Sequence, residues 1–313
     1  MRKVVLFLAL LCLALSGRAE TVWIDTDVSI GSPIREVDDA FALVLAFHSP
    51  EIRIAGINST FGNAPLGHTH RTAQDLVRRF GSTARLRIDD VFIGAVSPRD
   101  LERQTRASEA LAAALQKQKL TYIALGPLTN LASFIQLHPK LAHRIERVIL
   151  LGGQEPGSSL AFGPNRSFHI HDANVFKDPA AVAVVLRSKI PLVLVPIETA
   201  SQLAIDRQDM RKLESGGAAG KYLARRSRIW LWFWTRFVKT DGGPIFDACA
   251  VLAATRPRLL TMEERYAALD SSGNLIVTRS RTREARAVRY CAKLAPQAKD
   301  FVVGRIVTRR SRE

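Results

Sequence analysis

The sequence predicts a single α/β domain with a mostly parallel central sheet flanked by helices. Two observations carry that expectation. Short apolar runs at 22–24, 52–59, 120–125, 148–151 and 191–197 alternate with longer stretches of helical period. That is the pattern of βα units whose strands are covered on both faces. Several of these runs also end in acidic residues or glycines just before a helix start, at the edge where open α/β sheets hold ligands.

Taken from the start, Arg2 and Lys3 precede a twelve-residue apolar run at 4–15, followed by Gly17-Arg18-Ala19. The run is too short for a membrane span and reads as an export leader, residues 1–19. The remaining body, 20–313, is long enough for one large domain, and no internal repeat or low-complexity segment divides it. The expected location is periplasmic or secreted, with no membrane contact after leader removal. The formal charge is +16, and removal of Arg2, Lys3 and Arg18 leaves +13. The cations are spread out and densest in the last forty residues. No nucleic-acid-binding motif accompanies them, so no specific nucleic-acid partner is expected. Cys12 leaves with the leader; Cys249 and Cys291 either pair or stay as buried thiols, and the apolar run around Cys249 favours thiols.

The stretch 22–47 is the most informative. A short apolar strand leads into Asp25 and Asp27, a loop follows, then Asp38 and Asp39 open the apolar run 40–47. Four carboxylates between a buried strand and a buried helix repel one another and are costly to desolvate. A hard cation with oxygen ligands relieves that. Asp38 and Asp39 also fit a helix N-cap and first turn. The stretch resembles the opening Asp-x-Asp…Asp-Asp-Ala cluster of the inosine/uridine-preferring nucleoside hydrolase family, which binds Ca²⁺. The resemblance is interrupted at 28–37: ten residues separate Asp27 from Asp38, where family members usually have about three.

Further anchors follow in the family's order. Residues 52–59 read as a strand that ends in Gly62-Asn63, and 68–80 reads as a helix. A strand and loop at 88–96 and a helix at 99–119 come next. Gly126-Pro127-Leu128-Thr129-Asn130 follows the strand at 120–125, with Thr129 or Asn130 available as a cap. Gly152-Gly153 closes another strand. Asp172-Ala173-Asn174 precedes Asp178-Pro179-Ala180-Ala181, a helix start with proline in its first turn. Trp230 and Trp234 share one helical face, with Trp232 turned away. Asp247, after a Gly/Pro loop, starts a helix. The segment 275–278 reads as a closing hairpin or edge strand.

The resemblance implies a ribonucleoside hydrolase that splits the N-glycosidic bond into ribose and free base. By resemblance, Asp27, Asp39, the Leu125 carbonyl and Asp247 hold Ca²⁺. Asp27 is the base, and Asp25 orients the others from behind. Asp38, Asn63, Asp172 and Asn174 bind substrate, while Trp230, Trp234 and Phe246 are base-stacking candidates. Phe246 stands where many members carry a histidine acid for the leaving base. The implied partner is a small nucleoside, and homo-oligomers are compatible with the sequence. Two alternatives stay open: an exported nucleoside- or sugar-binding protein that keeps the metal site, favoured by Phe246 and the insertion, and a phosphatase-like hydrolase, disfavoured by Val28-Ser29 after Asp27.

Overall fold

The computed structural model describes residues 19–31, 35–158 and 160–308. The expected leader, apart from Ala19, lies outside the described residues. Nine strands form one sheet: β1 (Glu20–Thr26), β2 (Ile52–Ser59), β3 (Val91–Ile93), β4 (Leu120–Ala124), β5 (Ile145–Leu151), β6 (Leu192–Val195), β7 (Leu260–Leu269), β8 (Leu275–Thr278) and β9 (Arg286–Leu294). Their spatial order is β8-β7-β9-β6-β5-β4-β1-β2-β3. From β9 through β6, β5, β4, β1 and β2 to β3 every pairing is parallel. β7 pairs antiparallel with both β8 and β9, which makes β8 the edge. Of the strand and loop expected over 88–96, the strand is β3, with a short 3₁₀ turn before it.

Through the middle of the central strands, side chains alternate between two cores. Val22, Ile24, Ile123, Ile149, Leu151, Val193 and Val195 fill one face. Trp23, Tyr122, Ala124, Val148, Leu150, Leu192 and Leu194 fill the other. This period of two explains why the strands read as continuous apolar runs: both faces are buried.

Helices cover both faces. Those that position the site are α1 (Asp38–Phe47), α2 (Leu66–Phe80), α3 (Arg106–Lys117), α4 (Thr129–Leu137), α5 (Ala173–Lys177), α6 (Pro179–Arg187), α7 (Ala218–Arg226), α8 (Arg228–Trp232) and α9 (Asp247–Thr255). Every residue of α1 and of α9 is buried. Helices apolar on all sides belong inside a core, and these two pack against each other. Cys249 and Cys291 are buried free thiols. No described helix is long and apolar enough to cross a membrane.

Candidate active site

The parallel strands deliver their carboxyl ends to one edge, and four of those ends build the site. β1 ends at Thr26 and passes directly to Asp27. Alternation splits its polar residues between the faces. Asp25 lies on the Trp23 side, where its Oδ2 accepts from Tyr122 Oη at 2.6 Å and its Oδ1 from Asn130 Nδ2 at 2.9 Å. Thr26 lies on the other side and donates to Asp39 Oδ1. Asp25 is thus a buried strut behind the cluster. Burial pushes its carboxyl up to about 7 against the pull of those two donors.

The helix-cap alternatives do not hold. The N-cap positions of α1, α4 and α9 are Val37, Leu128 and Phe246, and no side chain caps any of them. Asp38, Asp39 and Asp247 are instead first-turn residues of two buried helices whose N-termini converge. Free N–H groups and the positive dipole end favour anions there. Ligand oxygens of Asp38, Asp39 and Asp247 lie within 4.8 Å of one another. All three are buried, and among the described residues Asp38 Oδ1 and Asp247 Oδ1 have no hydrogen-bond partner.

The tight trio therefore differs from the expected metal set: Asp38, expected to bind substrate, joins Asp39 and Asp247. Asp27 stands beside them. Asn63 bridges the two groups: its backbone N–H donates to Asp27 Oδ2 at 2.7 Å, and its Nδ2 reaches Asp27 Oδ1 at 3.3 Å and Asp39 Oδ2 at 3.1 Å. The chain's turn there depends on Gly62, at φ +155°, where a Cβ would lie 1.7 Å from Asp27 Oδ2. Gly62→Ala is expected to displace Asp27 and lower kcat/KM by roughly a hundredfold, since a misplacement near 1 Å can have that effect. Steady-state kinetics of the folded variant check this; wild-type kinetics would contradict it.

Burial is the largest influence on every carboxyl of the group, and mutual repulsion adds to it. Asp27, Asp38 and Asp247 are held well above the usual carboxylate range, and Asp39 rises to about 7. Unpartnered, mutually repelling, all-oxygen donors in a dry pocket fit a hard divalent cation. No soft ligand belongs to the trio.

On the far side, Asn174 Nδ2 donates to the carbonyls of Leu125 at 2.8 Å and Leu151 at 3.1 Å, linking the ends of β4 and β5. Asp172 is occupied by the scaffold. It accepts from Gly153 N–H at 2.7 Å and caps α5 through Val175 N–H at 3.2 Å. Asp178 caps α6 and accepts from Thr129 Oγ1, which ties the Gly-Pro-Leu-Thr loop to the Asp-Pro turn. Trp230 and Trp234 depart from the expectation of base-stacking rings. They are 3% and 1% exposed. Trp230 covers Gly243, and Trp234 meets Phe162 and Phe168 edge-on. Their shared helical face is the one the core takes. Phe246 is also buried, at 6%.

Two residues went unnoticed in the sequence. Lys177 Nζ lies 3.9 Å from Asp27 Oδ2. Glu36, from the insertion, accepts from Trp230 Nε1 at 3.1 Å and helps push Asp38 up by repulsion. A lysine just before Asp178-Pro179 and an acid two residues before Asp38 were the available signals.

Fold and site together define an α/β protein with a buried acidic centre at the sheet's carboxyl edge. The sequence profile of the inosine-uridine preferring nucleoside hydrolases matches residues 22–300, and the chain belongs to that family. It is accordingly a nucleoside N-glycosyl hydrolase. A probable uridine nucleosidase 2 of Arabidopsis thaliana is 29% identical over 82% of this chain and 84% of its own length. A pyrimidine-specific ribonucleoside hydrolase RihA of Salmonella typhimurium is 27% identical over 75% of this chain and 82% of its own. Among solved structures, a plant nucleoside hydrolase superposes with a TM-score of 0.77 at 20% identity, covering 93% of this chain and all of that one. A purine-preferring ribonucleoside hydrolase from Gardnerella vaginalis superposes with a TM-score of 0.75 at 20% identity, covering 92% and 98%.

Proposed function

We propose that the protein is an exported, Ca²⁺-dependent ribonucleoside hydrolase that prefers pyrimidine nucleosides. The single observation that carries the metal dependence is the buried Asp38–Asp39–Asp247 trio with its two partnerless oxygens. The pyrimidine preference rests on the names of the curated relatives, and export rests on the leader at 1–19.

In this reading Asp38, Asp39 and Asp247, with Asp27 and the Leu125 carbonyl beside them, hold the ion. A bound Ca²⁺ supplies Lewis acidity toward water and ribose-diol oxygens. Asp27 takes the proton of the attacking water. Its basicity reflects a balance between burial and repulsion from Asp39, which raise it, and the Lys177 ammonium, which lowers it. Asn63, held by Asp27 and Asp39, and Asn174, held by the Leu125 and Leu151 carbonyls, present their amide oxygens to ribose hydroxyls and hold C1′ in line with the water. Asp25, gripped by Tyr122 and Asn130, keeps the β1 end in place. No imidazole stands before Asp247, so the departing base receives no proton from position 246. Bases that leave readily as anions are therefore favoured.

The test is ribose release from a panel of purine and pyrimidine nucleosides, with Ca²⁺ and then with chelator. Chelator-sensitive release, fastest with uridine, is expected. Release unaffected by chelation would sink the metal assignment, and faster purine turnover would sink the preference.

A further inference from the structure

The helical segment formed by α7, α8 and the π-helical turn Phe233–Phe237 carries an outward face that the hydrolase site does not use. Along it Lys221, Arg225, Arg228, Ile229, Trp232, Arg236 and Phe237 are all exposed, at the spacing of a single helical stripe. Ile229 is 55% exposed, Trp232 59% and Phe237 65%. Scattered apolar residues on a surface need no explanation, but three large ones in a row on one basic stripe do. Among the described residues, Lys221, Arg225 and Arg236 have no carboxylate partner; Arg228 pairs with Glu214 at 2.8 Å. At its start the stripe borders a groove of about 420 Å³ between α7 and the end of α2, into which Arg79, Lys221, Arg225 and Arg226 converge around Tyr222. Arg79 and Arg226 each stack on that ring, at 5.3 and 5.6 Å, and Arg79 is already paired with Asp75 at 2.7 Å, which leaves Lys221, Arg225 and Arg226 as the groove's cations for phosphate.

We propose that this face docks the protein on an anionic lipid surface. Ile229, Trp232 and Phe237 enter the boundary between headgroups and acyl chains, and the flanking cations, with the groove, take lipid phosphates. Charge complementarity selects this occupant. A second copy meeting the same face would set Lys221, Arg225 and Arg236 against their own equivalents, whereas an anionic leaflet neutralises them. A helix with apolar side chains flanked by Arg and Lys, lying in the interface plane, is a recognised mode of peripheral binding. The proposal departs from the sequence-based expectation of no membrane contact after leader removal.

The experiment is co-sedimentation of the full chain with vesicles of phosphatidylcholine alone or mixed with phosphatidylglycerol, at low and high salt. Arg2, Lys3 and the apolar run at 4–15 are common to every variant, so differences between variants report the face. Arg225→Ala with Arg236→Ala is expected to weaken partition onto the mixed vesicles roughly thirtyfold, about fivefold for each cation and squared for two. Trp232→Ser with Phe237→Ser removes the part of the face's binding that survives high salt, and leaves a weaker, salt-sensitive part. Trp232 is the only exposed residue of the four tryptophans, so wild-type emission shifts to the blue on mixed vesicles and Trp232→Phe abolishes the shift. All these side chains are exposed, so the variants keep ribose release. Equal partition of wild type onto both vesicle types would overturn the proposal. So would self-association lost in Trp232→Ser without vesicle binding, a raised nucleoside KM in that variant as its only change, or oligonucleotide binding in place of lipid binding.

Discussion

Asp27→Asn is expected to lower kcat by about a thousandfold, within the range that removal of a general base produces, while Ca²⁺ affinity falls much less. The variant preserves volume, and its amide oxygen still accepts from the Asn63 backbone N–H that now meets Asp27 Oδ2 at 2.7 Å. Its new NH₂ opposes Asn63 Nδ2, a mild mismatch. What it loses is a carboxylate beside, but outside, the tight trio. Asp39→Asn makes the contrast. Asp39 accepts from Thr26 and Asn63 and lies against Asp27, Asp38 and Asp247, so its loss lowers metal affinity first and activity as a consequence. Calorimetric titration with Ca²⁺ beside steady-state kinetics separates the two. If Asp27→Asn loses the ion as completely as Asp39→Asn, Asp27 is a principal ligand on a par with the trio, and its separate role as base falls. If it keeps kcat within tenfold of wild type, the proton goes elsewhere.

Lys177 sharpens this contrast. Its ammonium faces Asp27 Oδ2 at 3.9 Å and is only partly exposed. It favours the ionised form that a base needs, yet makes that base weaker. The opposing influences of Asp39 and Lys177 on Asp27 explain why one carboxylate of the group is suited to proton transfer while its neighbours are suited to a cation.

How much of this was legible in the sequence depends on which interaction decides each feature. The strands were legible because burial on both faces makes β1, β4 and β5 continuous apolar runs, with boundaries close to those expected. The approach of the acidic groups was legible because Asp27, Asp38 and Asp247 each stand where a buried strand or helix meets a turn. Which oxygens come together was not. That depends on how α1 and α9 pack, a contact between segments some two hundred residues apart, and it brought Asp38 rather than Asp27 into the trio. Asp172 read as a ligand because its neighbours matched a motif; its actual partners, Gly153 N–H and the start of α5, appear only once β5 and α5 are side by side. Trp230 and Trp234 shared a face as their spacing required, but spacing cannot say whether that face meets a ligand or the core. Glu36 and Lys177 were single charges without a pattern, and only the fold makes them neighbours of the site.

Without metal the protein is expected to grow less stable as pH rises from about 4 to about 8, the reverse of ordinary acid denaturation. The sign follows from the direction of the shifts. In the folded chain Asp25 and Asp39 titrate at about 7, and Asp27, Asp38 and Asp247 are also raised, whereas an unfolded aspartate titrates near 4. Between those values the folded state binds more protons than the unfolded one, so stability falls with pH. The contribution is fully present below the unfolded pKa and is lost as pH passes through the folded values. Each such group changes stability by about 1.4 kcal/mol per pH unit across its window, so several together amount to at least about 5 kcal/mol. At about 2–4 °C per kcal/mol for a chain of 150–250 residues, and somewhat less for one this size, chelated protein is expected to melt roughly 10 °C lower at pH 8 than at pH 5. Divalent cation reverses the trend, because it binds the deprotonated carboxylates and stabilises only the folded state. The part that persists with metal belongs to Asp25, whose carboxylate answers to Tyr122 and Asn130 rather than to the trio. Melting curves in chelator and in saturating Ca²⁺ across this range decide it. A chelated protein as stable at pH 8 as at pH 5 would mean that these carboxylates do not share one dry pocket, and the metal site would fall with them.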